Sequence, residues 1–136
     1  MKQLTVGTLA KVCNMGVETV RFYERNGLLP VPQRLRSGYR VYDTNTVTRL
    51  RFIQQVKGLG FTLEETKDML GLVARADSNC ETICERVRVK KAQVDEKIIQ
   101  LQKLSEVLGR LKSDCPGGNA MLDECVMVQH FNSGEL

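Results

Sequence analysis

The chain has 136 residues, a net charge of +4 and five cysteines. This length suits one ordinary domain, or a small domain with an extension. No apolar run is long enough to span a bilayer, and the N-terminal residues lack the apolar stretch of a secretory signal. We therefore expect a cytoplasmic protein with no membrane partner. An odd number of cysteines without an export signal favours reduced thiols over a disulfide framework.

The positive charge is concentrated in the first part of the chain. Residues 1–75 hold 12 Lys and Arg against 6 Asp and Glu, a surplus of +6, whereas residues 76–136 hold 8 against 10, a deficit of −2. Basic residues in the first part are interleaved with apolar residues at regular spacing, which indicates a folded region. A basic folded surface is typical of a protein that faces phosphates.

The first predicted elements form a helix-turn-helix. Thr5 is predicted to cap a short helix with one apolar side, formed by Val6, Leu9, Ala10 and Cys13. The Cys13 thiol on this side is expected to pack in the core rather than bind metal. Residues 14–16 predict a tight turn, and residues 17–26 a second helix closed by Gly27. Two short helices joined by a turn with glycine are typical of this motif.

The second helix is the candidate recognition helix. We expect its apolar contacts to come from Val17, Val20 and Phe22. The opposite side is expected to expose Glu18, Thr19, Arg21, Tyr23 and Arg25. The candidate DNA contacts on this helix are Thr19, Arg21, Tyr23 and Arg25.

Residues 34–42 predict a β-hairpin with its turn at Ser37-Gly38. Several arginines and two tyrosines on so small a hairpin would be unusual in a core. They suit a wing against nucleic acid, because arginine pairs with phosphates and tyrosine hydroxyls donate hydrogen bonds. The candidate contacts on the wing are Arg36, Tyr39, Arg40 and Tyr42.

Three further helices are predicted. One covers residues 44–57 and is broken by Gly58 and Gly60. A capping box at residues 62–65 begins the next helix, which runs to Leu72. A second capping box at residues 78–81 begins a long helix that ends near residue 112.

The long helix carries a narrow apolar stripe in which Val94, Leu101 and Leu108 recur every seven residues. Two apolar residues per heptad suit a single partner helix, although Lys90 and Lys97 weaken the seam near its start. A lone helix of this composition is marginal in water. We therefore expect a homodimer.

Cysteines stand at both ends of this long helix. With a rise of about 1.5 Å per residue, Cys80 and Cys115 are separated by roughly 50 Å within one chain. The two thiols cannot share a ligand in a monomer, but they can in an antiparallel pair. Cys125 follows shortly after Cys115, so the pattern predicts a soft-metal site shared between two chains.

Several motifs resemble MerR-type transcriptional regulators. They are the runs at residues 17–25 and 27–29, the hairpin sequence at 37–42, and the segments at 50–53 and 59–63. The resemblance implies a mainly α fold, with a winged helix-turn-helix DNA-binding domain (1–75), a dimerisation helix forming an antiparallel coiled coil (76–113), and a C-terminal metal-binding loop and tail (114–136). It also implies a dimer on an overlong promoter spacer. Effector binding would untwist and bend this spacer for RNA polymerase.

The resemblance to the metal-sensing branch implies a site made by Cys80 of one chain with Cys115 and Cys125 of the other. Copper-type sensors of this layout carry serine at the first position, and redox sensors carry a four-cysteine cluster, so neither pattern matches. Three thiolates favour mercury(II), with lead(II) and cadmium(II) also suited. Zinc(II) is a further alternative, although it prefers four ligands and Pro116 and Ala120 stand where zinc sensors carry extra ligands.

Two more residues are candidate ligands. Cys84 lies one helical turn after Cys80, where it faces the same site or packs against the protein. His130, the single histidine, lies near a tail expected to fray and has a surface role or supplies a fourth ligand. An alternative function is a DNA-binding dimer with a purely structural metal site. Thiol enzymes use Cys-x-x-Cys or a cysteine beside a base, and since neither occurs we expect no enzyme.

Overall fold

Helices dominate the chain, as the sequence predicts. The structure, a computed structural model, describes residues 3–115 and 117–134. The elements are α1 (Val6–Val12), α2 (Val17–Arg25), β1 (Gln33–Arg34), β2 (Arg40–Val41), α3 (Thr44–Gly58), α4 (Leu63–Ala74), α5 (Cys80–Asp114), a short 3-10 helix (Leu122–Glu124) and α6 (Val126–Ser133). The chain divides into two compact units, Met1–Val87 and Arg88–Leu136. None of the helices described is long and apolar enough to cross a membrane.

The predicted helix-turn-helix is confirmed by α1 and α2. The Thr5 side chain accepts a hydrogen bond from the backbone N–H of Thr8 at 3.2 Å and so caps α1. Asn14 adopts φ 54° in the turn, and Gly27 adopts φ 78° just after α2. Both left-handed residues are types that tolerate this conformation, so local sequence alone fixes where the two helices end.

The predicted hairpin is confirmed, with strands of only two residues each. Strands β1 and β2 are antiparallel, with Arg34 opposite Arg40. The loop between them is closed by a hydrogen bond from the Leu35 N–H to the Tyr39 carbonyl at 2.8 Å. Leu4 and Tyr42 form an isolated antiparallel bridge beside the hairpin. The wing is therefore paired with the N-terminal segment as well as between its own two strands.

Helices α3 and α4 begin at well-defined caps. Asp43 caps α3 by accepting a hydrogen bond from the N–H of Thr46. The predicted capping box of α4 is confirmed by reciprocal bonds between Thr62 and Glu65. From α3, the Gln54 side chain donates to the Cys13 carbonyl at 2.8 Å, which satisfies a backbone group where α1 ends.

The first unit holds two apolar clusters. The larger one joins α1, α2, α3 and the wing, and its fully buried members include Leu9, Val20, Leu28, Leu50 and Ile53. The smaller one consists of Val56, Phe61 and Met69, with Ile83 of α5 packed against it. The first turns of α5 are thus part of the packed core of this unit.

The start of α5 corrects one detail of the sequence analysis. The cap is Asn79 rather than Ser78, because the Asn79 side chain accepts a hydrogen bond from the Thr82 N–H at 3.3 Å. The helix accordingly begins at Cys80. The shift of one residue follows from the asparagine side chain, which competes well for the N-cap position.

The C-terminal tail corrects a second expectation, since it is helical rather than frayed. Helix α6 covers Val126–Ser133 and ends at Gly134, which adopts φ 74°. This left-handed glycine is a common helix stop. The turn predicted at Cys115-Pro116-Gly117-Gly118 includes Pro116, which lies outside the described residues.

We expect Leu50→Ala to destabilise the protein by about 3 kcal/mol, because a fully buried leucine is truncated and leaves a cavity. Urea unfolding at fixed protein concentration measures the change. Leu59→Ala is the matched control, since Leu59 is 66% exposed at the end of the same helix. Equal destabilisation by the two variants would contradict the assignment of Leu50 to the core.

Candidate nucleic-acid interface and metal centre

Helix α2 presents a polar side whose composition differs from the prediction at two residues. Val20 and Tyr23 are buried, whereas Phe22 is 43% exposed. The expectation that Tyr23 is exposed and Phe22 packs inward is therefore wrong. Residues three apart lie on one side of a helix, so Tyr23 follows Val20 into the core. Thr19, Arg21 and Arg25 remain exposed as predicted.

A buried carboxylate links α2 to the wing. Glu24 accepts a hydrogen bond from the Arg40 guanidinium at 2.9 Å and one from the Tyr42 hydroxyl at 3.1 Å. The Glu24 side chain is only 9% exposed, and that of Arg40 is 40% exposed. A charge-assisted contact of this kind is stronger than one between neutral groups. The contact therefore joins α2, the candidate recognition helix, to the wing.

Tyr42 has an internal role that differs from the predicted surface contact. Its side chain is 4% exposed and its hydroxyl is engaged by Glu24. Burial, together with the neighbouring Glu24 charge, raises the pKa of Tyr42. Tyr42 belongs to the larger apolar cluster together with Leu4, to which its backbone is bridged, whereas Tyr39 is exposed. Tyr42 thus positions the wing rather than presenting its ring to solvent.

The exposed surface beside Glu24 is strongly basic. One groove of about 530 Å³ is lined by Glu24, Val31, Pro32 and four arginines. The arginines are Arg21, Arg25, Arg34 and Arg40. Tyr39 is 73% exposed, and Arg36 is also exposed. The arrangement can pair with several phosphates, because arginine donors match phosphate oxygens.

Two members of this surface were missed by the sequence analysis. Arg34 stood in the predicted hairpin without being assigned a contact. The sequence contains only a weak indication for Glu24, which is the one acidic residue within the basic segment Arg21–Arg25. Its function as the link to Arg40 and Tyr42 depends on tertiary contacts that the sequence pattern does not show.

Two thiols come together at the start of α5. The Sγ atoms of Cys80 and Cys84 lie 3.8 Å apart. Cys80 is exposed and Cys84 is half-buried. The two cysteines therefore share one face of α5.

Contacts of two nearby residues hold the first turns of α5 in place. Ile83 packs against the smaller apolar cluster, and the Arg86 guanidinium donates to Asp68 of α4 at 2.7 Å. This ion pair is partly exposed, so it contributes little to stability by itself. Together with the packing of Ile83, this ion pair fixes the rotation of the first turns of α5 about the helix axis.

The other candidate ligands lie in the second unit. Cys115 follows the last residue of α5, and Cys125 lies between the 3-10 helix and α6. Both are half-buried. His130 lies within α6 and is also half-buried, so it does not belong to a frayed tail. Across residues 3–115 and 117–134, no group of three or more His, Cys, Asp or Glu side chains lies close enough to hold a metal ion.

Cys13 is a core thiol, as predicted. It is 4% exposed, and its Sγ lies 4.0 Å from the Val47 carbonyl oxygen. Burial raises the pKa of the Cys13 thiol, while the positive charge of Arg51 acts in the opposite direction. None of the five cysteines, all of which the structure describes, is in a disulfide.

The long helix leaves its apolar stripe in contact with water. Leu101 and Leu108 are each 64% exposed and Leu104 is 58% exposed. Val87, Val94 and Ile98 continue the stripe towards the start of the helix, with exposures between 39% and 48%. Together they form a seam along α5 that a second helix can cover.

Comparisons with known proteins agree with this architecture. Residues 4–72 match the profile of MerR HTH family regulatory proteins, and residues 47–111 match a MerR DNA-binding profile. The mercuric resistance operon regulatory protein of Bacillus cereus is 39% identical over 124 residues, covering 91% of this chain and 93% of that protein.

Two solved structures are similar over nearly the full chain. The regulator PbrR691 of Ralstonia metallidurans CH34, in complex with lead(II), has a TM-score of 0.85 and 33% identity, covering 94% of this chain and 98% of its own. The regulator MerR of Bacillus megaterium MB1, in complex with mercury(II), has a TM-score of 0.74 and 33% identity, covering 95% and 99%.

We expect the Cys13 thiol to react slowly with iodoacetamide in the native protein. A raised pKa leaves less thiolate at neutral pH, so alkylation should accelerate only towards alkaline pH. Mass spectrometry of the labelled peptide at several pH values measures the rate. The urea-unfolded chain is the control, and an equal rate in native and unfolded protein would contradict the burial of this thiol.

Proposed function

Because the chain belongs to the MerR family of helix-turn-helix regulatory proteins, we propose that it is a metal-responsive regulator that binds promoter DNA as a homodimer. Regulation of transcription through DNA binding is the function of this family, and its members that resemble this chain are regulators rather than enzymes. The observation that carries the metal proposal is the presence of thiols at both ends of a helix with an uncovered apolar seam.

The proposed DNA contacts lie on α2 and on the wing. Thr19, Arg21 and Arg25 would face the groove of the DNA, while Arg36 and Tyr39 on the wing would contact the backbone. The Arg40 side chain is 40% exposed while it is bound to Glu24, so it can serve both as a link and as a contact. Buried Tyr23 and Tyr42 are retained in the proposal as positioning residues.

The proposed dimer pairs two copies of α5 in opposite directions. This arrangement would cover Leu101, Leu104 and Leu108, whose exposure in one chain costs roughly 25 cal/mol for each Å² of apolar surface left in water. Helix α5 has 35 residues, which corresponds to a length of about 50 Å. Opposite directions would bring the first turn of one helix to the last turn of the other.

The proposed metal site combines Cys80 of one chain with Cys115 and Cys125 of the partner subunit. Cys80 begins α5 and Cys115 follows its last residue, which supports a site completed by a second copy. A bound thiophilic ion would supply strong bonds that tie thiolates of two subunits together. The donor set fits such an ion because soft thiolates favour soft metals.

Mercury(II) is the proposed inducer, with lead(II), cadmium(II) or zinc(II) as alternatives. Support comes from the resistance regulator of B. cereus and from the mercury and lead complexes of two similar proteins. A site of three thiolates suits mercury and lead better than zinc.

The proposed mechanism couples the metal site to the promoter. Cys80 opens a helix whose next turns pack, through Ile83 and Arg86, into the unit that carries α2 and the wing. A change in the position of Cys80 would therefore be transmitted to the DNA contacts. The expected result is untwisting and bending of an overlong promoter spacer, so that RNA polymerase reads both promoter elements.

We expect Arg21→Ala to weaken operator binding, because a positive group is removed from the basic groove. If Arg21 pairs with a phosphate, the slope of log affinity against log salt should become shallower by about one for each phosphate that is no longer neutralised. Fluorescence anisotropy across a salt series measures both effects. Arg75→Ala is the control, since it removes the same charge from the end of α4; equal effects of the two variants would remove Arg21 from the interface.

We expect Cys80→Ser, Cys115→Ser and Cys125→Ser each to abolish metal-induced transcription while DNA affinity stays largely intact. Co-expression of Cys80→Ser with Cys115→Ser should then restore about half of the metal bound by the native dimer, because one of two shared sites per mixed dimer is intact. Metal content of the doubly tagged, purified heterodimer measures this.

Two outcomes would contradict the proposal, one for the shared site and one for the sensing role. No metal in the heterodimer would mean that the ligands do not come from opposite subunits. Loss of DNA binding in all three single variants would indicate a structural metal site instead of a sensor.

A further inference from the structure

Cys84 has a geometry that a packing role does not require. Residues four apart face each other on a helix, and here the two sulfur atoms already point towards one another at 3.8 Å. Ile83, between them in sequence, packs into the core of the unit. Cys80 and Cys84 therefore lie on one side of the first turns of α5, next to a residue that packs into the core.

The distance between the sulfurs suits a shared metal better than a covalent bond. Two thiolates on one tetrahedral zinc ion, with metal–sulfur bonds of about 2.3 Å, are separated by roughly 3.8 Å. A disulfide needs Cβ atoms about 3.5–4.5 Å apart. Cβ atoms four residues apart on a helix are about 5–6 Å apart. The helix therefore holds this pair at the spacing of two ligands.

We propose that Cys84 is a fourth metal ligand, which forms with Cys80 a two-thiolate pair. The inference rests on the proposed function, since the remaining ligands are Cys115 and Cys125 of the partner subunit. Four thiolates complete the shell of a tetrahedral ion such as cadmium(II) or zinc(II). Mercury(II) and lead(II) are satisfied by three thiolates.

Cys84 is accordingly a specificity-determining residue of this site. With Cys84 in place, the range of inducers extends to four-coordinate thiophilic ions. Without it, the site retains the three thiolates that suit mercury. Cys84 is half-buried, whereas Cys80 is exposed.

The test uses the full-length protein and cadmium(II) alone as the probe. Thiolate-to-cadmium absorption per bound ion reports the number of sulfur ligands, and cadmium NMR reports the coordination shell independently. In Cys84→Ala the absorption should fall by about a quarter, because three of four thiolates remain. Cadmium affinity should fall, whereas mercury affinity should change much less. Cys84→Ser provides a second variant that conserves size if the alanine variant does not fold.

Cys13→Ala is the matched control, because it removes a thiol from the core and should leave the cadmium absorption unchanged. Unchanged absorption and an unchanged cadmium shift in both Cys84 variants would overturn the fourth ligand. Binding of an additional ion per chain by Cys80 and Cys84 alone would overturn it too.

Cys115→Ser separates this inference from the function on which it rests. If Cys115→Ser lowers cadmium binding while Cys84→Ala has no effect, the shared site stands and the fourth ligand is wrong. If Cys115→Ser leaves cadmium binding intact, the shared site itself is wrong, and the four-thiolate shell fails with it.

Discussion

The apolar side of α5 stays in water in a single chain. Leu101 and Leu108, one heptad apart, expose 64% of their surfaces along a helix of 35 residues. Such a helix is marginal without tertiary support, and in the proposed dimer a second helix would cover this seam. The same pairing would decide the chemistry of the cysteines. An antiparallel partner would supply Cys115 and Cys125 where Cys80 stands, and any other arrangement would leave each thiol group incomplete.

The start of α5 belongs to two systems at once. Cys80 lies in its first turn, while Ile83 and Arg86 join that turn to the smaller apolar cluster and to α4. Packed side chains have few alternative arrangements, so a shift at the first turn is not absorbed locally. This gives the proposed effector site a physical connection to the helix-turn-helix that needs no flexible linker.

Local signals made much of the fold predictable. The Thr62 cap and the left-handed Gly27 act within a few residues, and both were found where the sequence indicated. Side-chain orientation on α2 was harder, because Phe22 and Tyr23 are both apolar neighbours and only the core decides which is buried. The role of Glu24 depends on a wing 16 residues away. Helix α6 was missed because its eight residues have no side-chain cap. A single sequence shows only the spacing of its cysteines. It does not show whether ligands from a second chain complete the site.

The hydrogen bonds that Glu24 accepts from Arg40 and Tyr42 join α2 and the wing into one DNA-facing unit. The distance between the proposed groove contacts on α2 and the proposed backbone contacts on the wing is then set by the fold of each subunit. A promoter in which the groove and the backbone lie at a different distance within one half-site would lose some of these contacts. The subunit could not restore them by bending. In the proposed dimer, adjustment to different promoters would have to come from the angle between the two subunits, which an effector bound between them would change.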